Sequence, residues 1–102
     1  MKIIKKEKDR LIAYKIFKIN NHTYQFTIDI KMGGNVDGFN DEIYVKMFTG
    51  NGWVNVVDNR FLGLPDINVY ELKKDYILEK IENYFKVFKS YIEDLEGVGN
   101  DN

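Results

Sequence analysis

The chain reads as an α+β domain, an antiparallel sheet of four to five strands packed on one C-terminal amphipathic helix, with the strands forming a meander of two hairpins. Three observations predict it. Residues 75–95 carry apolar side chains at helical spacing, and residues 23–32 alternate strictly between apolar and polar. Residues 49–52, TGNG, are hairpin-turn chemistry between two β-rich runs. With 102 residues, a single domain over 1–96 is expected, with 1–10 a mobile basic arm or an edge strand and 97–102 a disordered tail.

The helix is the clearest element. At about 100° per residue, Ile77, Ile81, Tyr84, Phe85, Phe88, Tyr91, Ile92 and Leu95 fall on one stripe, with Glu79, Glu82, Lys86 and Lys89 opposite. Asp75 is the expected N-cap and Gly97 the expected stop. At ~1.5 Å per residue such a helix is ~31 Å long, enough to cross four or five strands.

Leu11–Ile19 is β-rich, and Asn20–Asn21–His22 is turn chemistry. From Thr23 to Met32, Tyr24, Phe26, Ile28 and Ile30 face one way, while Gln25, Thr27 and Asp29 face the other. A three-residue loop at 20–22 would pair Ile16 with Phe26, Tyr14 with Ile28 and Ile12 with Ile30. That register puts Leu11, Ala13, Phe17 and Ile19 on the wetter face. Residues 33–41, GGNVDGFND, form a flexible acidic connection whose spacing does not match a calcium-binding EF-hand loop. Glu42–Phe48 and Trp53–Val57 are the next two strands. A two-residue loop at Gly50–Asn51 pairs Phe48 with Trp53 and leaves Tyr44, Phe48, Trp53 and Val57 on one face. Residues 67–72 are a fifth strand or an extended lead-in to the helix.

Composition narrows the chemistry. The absence of Cys excludes disulfides, thiol catalysis and Cys-based metal sites. Net charge is −1, yet the chain is basic at its start, where Lys5, Lys6, Lys8, Arg10, Lys15 and Lys18 cluster. Lys outnumbers Arg thirteen to two, and Phe, Tyr, Met, Ile, Asn and Lys supply 53 of the 102 residues. This is the usage of an AT-rich genome, that of a low-GC bacterium, a phage or another mobile element. No HExxH, GxSxG, P-loop or GxGxxG pattern occurs, and the one His, His22, sits in a turn. No enzyme, cofactor or metal is therefore expected. No signal peptide or long apolar run is present, which predicts a cytoplasmic protein.

The function expected from these features is protein–protein interaction. One helix covers one sheet face, so the other would keep Tyr44, Phe48, Trp53, Val57 and Phe17 as an apolar contact surface. In size and composition the chain is similar to phage-encoded inhibitors of bacterial defence enzymes, including anti-CRISPR proteins, which implies capture of a host protein. The alternative is binding of single-stranded nucleic acid, with Tyr44, Phe48 and Trp53 as a stacking platform and Lys15, Lys18, Lys31 and Lys46 on phosphates. The order of elements, strands followed by a long helix, resembles single-strand-binding proteins of the Whirly type and implies the same. A homodimer formed through the open sheet face is a third expectation.

Overall fold

The computed structural model describes residues 1–7, 9–31 and 42–98. The expected loop at 33–41, Lys8 and the tail at 99–102 lie outside the described residues. Five strands, β1 (Lys2–Lys6), β2 (Arg10–Ile19), β3 (His22–Lys31), β4 (Glu42–Phe48) and β5 (Trp53–Asp58), form one antiparallel sheet in the order β1-β2-β3-β4-β5. A 3-10 turn at Val69–Lys73 leads into helix α1, Ile77–Leu95. The fold is the predicted α+β arrangement. The fifth strand is β1 at the basic N-terminus, while residues 67–72, the other candidate, enter the 3-10 turn instead.

The β2–β3 register differs from expectation by one residue. Asn20 and Asn21 both adopt left-handed backbone, at φ 52° and 67°, and make a two-residue turn that pairs Ile19 with His22. Positive φ at both central positions is the geometry of a type I′ turn, whose twist matches the flanking strands, and Asn tolerates it. A one-residue shift moves every side chain to the other face. Ala13 therefore pairs with Ile28 and Leu11 with Ile30, and Leu11, Ala13 and Ile19 are buried. Ile16 pairs with Gln25 and is 52% exposed.

A second irregularity corrects β5. Val45 pairs with Val57 and Lys46 with Asn55, so Val56 is an extra residue in a bulge. The bulge turns Val57 inward, where it is buried beside Val56.

The α1 stripe supplies Ile77, Ile81, Tyr84, Phe85, Phe88 and Ile92 to the core. They meet Leu11, Ala13, Phe26, Ile28, Ile30, Ile43 and Val45 from the sheet. Phe88 and Phe85 lie 5.1 and 5.6 Å from the Phe26 ring. The helix starts after Tyr76, which makes no side-chain cap, so Asp75 is not the N-cap. The side-chain capping belongs instead to the preceding 3-10 turn. Asn68 Oδ1 accepts from the Tyr70 amide at 2.8 Å, and Glu71 Oε2 accepts from the Asn68 amide at 2.9 Å. Between β5 and this turn, buried Asn59 braces the loop by donating to Leu64 O at 3.0 Å and Asp66 Oδ1 at 2.7 Å. No described helix is long and apolar enough to cross a membrane.

The register is open to test. Leu11→Ala is expected to lower unfolding free energy by about 3 kcal/mol, as a fully buried leucine does. Ile16→Ala should cost less than about 1 kcal/mol. Urea denaturation of the two variants checks this, and the reverse ranking would restore the three-residue loop.

Candidate functional site

Helix α1 covers one sheet face and leaves the other open. In antiparallel strands successive side chains alternate between faces, so the register assigns each one. The open face carries Lys2 and Lys5 from β1, and Arg10, Ile12, Tyr14, Ile16 and Lys18 from β2. It also carries Thr23, Gln25, Thr27, Asp29 and Lys31 from β3, Glu42, Tyr44, Lys46 and Phe48 from β4, and Trp53, Asn55 and Asp58 from β5. One row crosses all five strands in register: Lys2, Tyr14, Thr27, Tyr44, Asp58.

Of the residues predicted for the contact surface, Tyr44, Phe48 and Trp53 share this face, with Phe48 and Trp53 45% and 41% exposed and their rings 5.3 Å apart. Phe17 and Val57 do not. The turn register places Phe17 beneath the helix, stacked 5.4 Å from Tyr24 and 5.5 Å from Phe85. The bulge places Val57 in the core. Among the predicted cations, Lys5, Arg10, Lys18 and Lys46 lie on the open face. Lys6, paired with Leu11, and Lys15, whose Nζ stands 4.8 Å from the Phe85 ring centre, lie on the helix side. Lys8 is outside the described residues.

The open face is thus less apolar and more basic than the sequence suggested. It holds six cations, Lys2, Lys5, Arg10, Lys18, Lys31 and Lys46, against Asp29, Glu42 and Asp58. Arg10 is paired to Asp29 at 3.4 Å and Lys5 to Glu7 at 3.5 Å. The charges and rings are also segregated. Five of the six cations stand on β1–β3, and three of the four rings, Tyr44, Phe48 and Trp53, stand on β4 and β5. Lys2 Nζ lies 6.0 Å from the Tyr14 ring centre and Lys46 Nζ 5.1 Å from that of Tyr44, both within cation–π range.

The aromatic half opens into a cleft of about 570 Å³. Tyr44, Lys46, Asn55 and Asp58 line it from the sheet, and Arg60 and Phe61 from the turn after β5. Phe61 is 71% exposed, with its ring 5.8 Å from Tyr91. Asp58 Oδ1 accepts from the Phe61 amide at 2.9 Å, and Arg60 donates to Asp66 at 3.4 Å. Arg60 and Phe61 have no sequence signal, because the DNRF stretch lacks periodicity. Tyr14 would have followed from reading Asn20–Asn21 as a two-residue turn, whereas Lys2 reaches the face through the β1–β2 pairing and its bulge.

One titratable cluster lies away from this face. Glu96 Oε2, just beyond α1, accepts from Tyr24 Oη and bonds His22 Nδ1 at 2.5 Å, while Asn20 donates to Glu96 O at 3.0 Å. The bond from Tyr24 first, then that from His22, holds the Glu96 carboxyl below its ordinary range. Burial, then the Glu96 bond and charge, push the Tyr24 hydroxyl up to about 12. The cluster fastens the helix end to the β2–β3 turn. Among the described residues, no three His, Cys, Asp or Glu side chains converge to hold a metal ion.

Comparison with protein-family models, with curated proteins and with solved structures found no match.

Two outcomes follow. Glu96 is depressed, so its stabilisation is complete above the ordinary carboxylate pKa of about 4.3 and is lost as pH falls through the lowered value. Tyr24 is raised, so its share is complete below about 10 and is lost as pH rises toward about 12. Denaturation midpoints measured against pH should show both losses, and Glu96→Gln should reduce the acid one, leaving the share of Glu71, whose carboxyl is also held below its ordinary range. Separately, Trp53→Ala should cost about 1 kcal/mol in urea denaturation, the scale of a half-exposed ring pair. A loss of about 3–5 kcal/mol would mean that the ring is core.

Proposed function

We propose that the protein binds single-stranded nucleic acid on its open sheet face. The segregation across the strands carries this reading. Cations on β1–β3 form a track for a phosphate backbone, and rings on β4 and β5, about 10 Å to the side at ~4.8 Å per strand, form a platform for the bases of the same strand. Bases in a single strand offer π-faces that stack on Phe48 and Trp53. Thr23 and Gln25 of β3 present donors and acceptors between the rings and most of the cations, and Asn55 of β5 does so on the ring side. The net charge of −1 is compatible with this, because association responds to the local field of the contacting surface.

A second reading is capture of another protein, such as a defence enzyme of a bacterial host. The exposed Phe48–Trp53 pair, with Ile16 nearby on the same face, favours it, since aromatic anchors commonly dominate such contacts. It is weakened by the transfer of Phe17, Val57, Leu11, Ala13 and Ile19 to the core, which removes much of the apolar area on which it rested. The excess of cations also disfavours a homodimer joined open face to open face.

Trp53 is the only Trp, so its fluorescence reports binding. Titration with short single-stranded oligonucleotides should change its emission, with log affinity falling against log salt at a slope of about −3 for four phosphate contacts. Lys18→Ala should make the slope shallower by about 0.7. Trp53→Ala, followed by anisotropy of a labelled oligonucleotide, should weaken binding by about 1–3 kcal/mol. No response to any oligonucleotide at low salt would favour the protein partner.

A further inference from the structure

We infer that the cleft beside Tyr44 seats one base of the bound strand and selects bases that carry an exocyclic amino group over thymine. This rests on the reading of the open face as a nucleic-acid platform, and it adds base preference to it.

The cleft is continuous with the ring-bearing half of the face, and its volume of about 570 Å³ falls in the usual range for small-ligand sites, about 300–1,000 Å³. Tyr44 and Phe61 supply apolar walls. Lys46 and Arg60 line the cleft as cations, Arg60 paired with Asp66 at 3.4 Å. The lining also contains two carboxylates, Glu42 and Asp58, which would be unexpected in a site built only to attract phosphate. Asp58 is held by the Phe61 amide through Oδ1, which leaves Oδ2 as an acceptor. An ionised carboxylate accepts hydrogen bonds and cannot donate them.

These groups fit a base edge that donates. Cytosine N4 and adenine N6 each present an amino group, and a carboxylate accepting from cytosine N4 is a recurrent pairing. Guanine offers ring N–H and amino donors on its Watson–Crick edge. Thymine offers a single donor, N3–H, flanked by O4 and O2, so it could serve one carboxylate while carbonyl lone pairs face the other, whereas an amino group carries two N–H donors. Asn55 can both donate and accept and so does not discriminate. Base selection in the cleft therefore falls to Glu42 and Asp58.

The test compares short oligo(dC) with oligo(dT) of equal length above pH 7, measured by Trp53 emission and by anisotropy of labelled strands. Oligo(dC) should bind about tenfold tighter. Asp58→Asn combined with Glu42→Gln should bring the two affinities together while leaving the far-UV circular dichroism unchanged, since the amide oxygen of the replacement side chain can still accept from the Phe61 amide. Phe61→Ala, at an exposed position, should weaken both strands. Equal affinity for the two strands in the unaltered protein, with both still weakened by Trp53→Ala, would overturn the inference and leave the platform reading standing. Absence of binding by either strand at low salt would overturn both.

Discussion

The β2–β3 turn is the constraint on which the rest of this structure depends. Strand β2 is apolar at Leu11, Ile12, Ala13, Tyr14, Ile16, Phe17 and Ile19, so its own pattern does not choose a face. The turn chooses. Two consecutive asparagines with positive φ close the hairpin in two residues, and the pleat then sends Leu11, Ala13, Phe17 and Ile19 beneath the helix. A three-residue closure would instead turn Ile12, Tyr14 and Ile16 toward the helix. Both faces of β2 carry apolar side chains, so backbone geometry at Asn20 and Asn21 decides which of them join the core and which the open face.

Burial supplies the affinity of α1 for the sheet, and two carboxylates set where along its axis it sits. Six of its side chains are buried, and at roughly 1.5–3 kcal/mol each they contribute on the order of 10 kcal/mol. At the N-terminal end, Glu71 accepts from Lys80 at 2.6 Å, from Tyr76 at 3.0 Å and from the Asn68 amide at 2.9 Å. Burial alone would raise its pKa, and these three donors outweigh burial and lower it. At the C-terminal end, Glu96 gathers Tyr24 and His22. Neither carboxylate lies within the helix. Each joins the chain on one side of a junction to donors from another element, which suits them to fixing position more than to supplying bulk stability.

What the sequence made legible follows from which signals are local. The helical stripe, the strict alternation of β3 and the TGNG turn each specify structure within a few residues, and the helix, β3, β4 and the Phe48–Trp53 pair appear as expected. The departures arise where the deciding term is not periodic. Asn-Asn fits more than one loop length, so hydrophobic pattern alone leaves β2 one residue out of register. A bulge leaves no mark on hydrophobic alternation, so alternation assigns Val57 to the wrong face. Asp75 is sound capping chemistry, yet the Glu71 network already orders the preceding turn. The cleft has no signature in the sequence, because Tyr44, Asn55 and Phe61 come from three segments that only the sheet and the turn after it bring together.

On the proposed reading, the corrected open face would favour single strands over duplexes. A duplex presents phosphates outward and keeps its bases stacked inside, so it could use the cations on β1–β3 but would leave the rings of β4 and β5 against sugar and phosphate. It would also bring its charge to Glu42 and Asp58, where the potential is adverse. A single strand bound as proposed would avoid both costs, its backbone following Lys2, Arg10, Lys18 and Lys31 and its bases turning toward Tyr44, Phe48 and Trp53. The carboxylates would then lie on the base side, facing hydrogen-bond donors in place of phosphate. Net charge describes neither half, since the same chain total of −1 would hold if these cations and rings were mixed evenly over the face. Their order across the strands makes the face directional: the turn at Asn20–Asn21 brings Arg10 and Lys18 of β2 to it, and the pairing of β4 with β3 and β5 brings the rings.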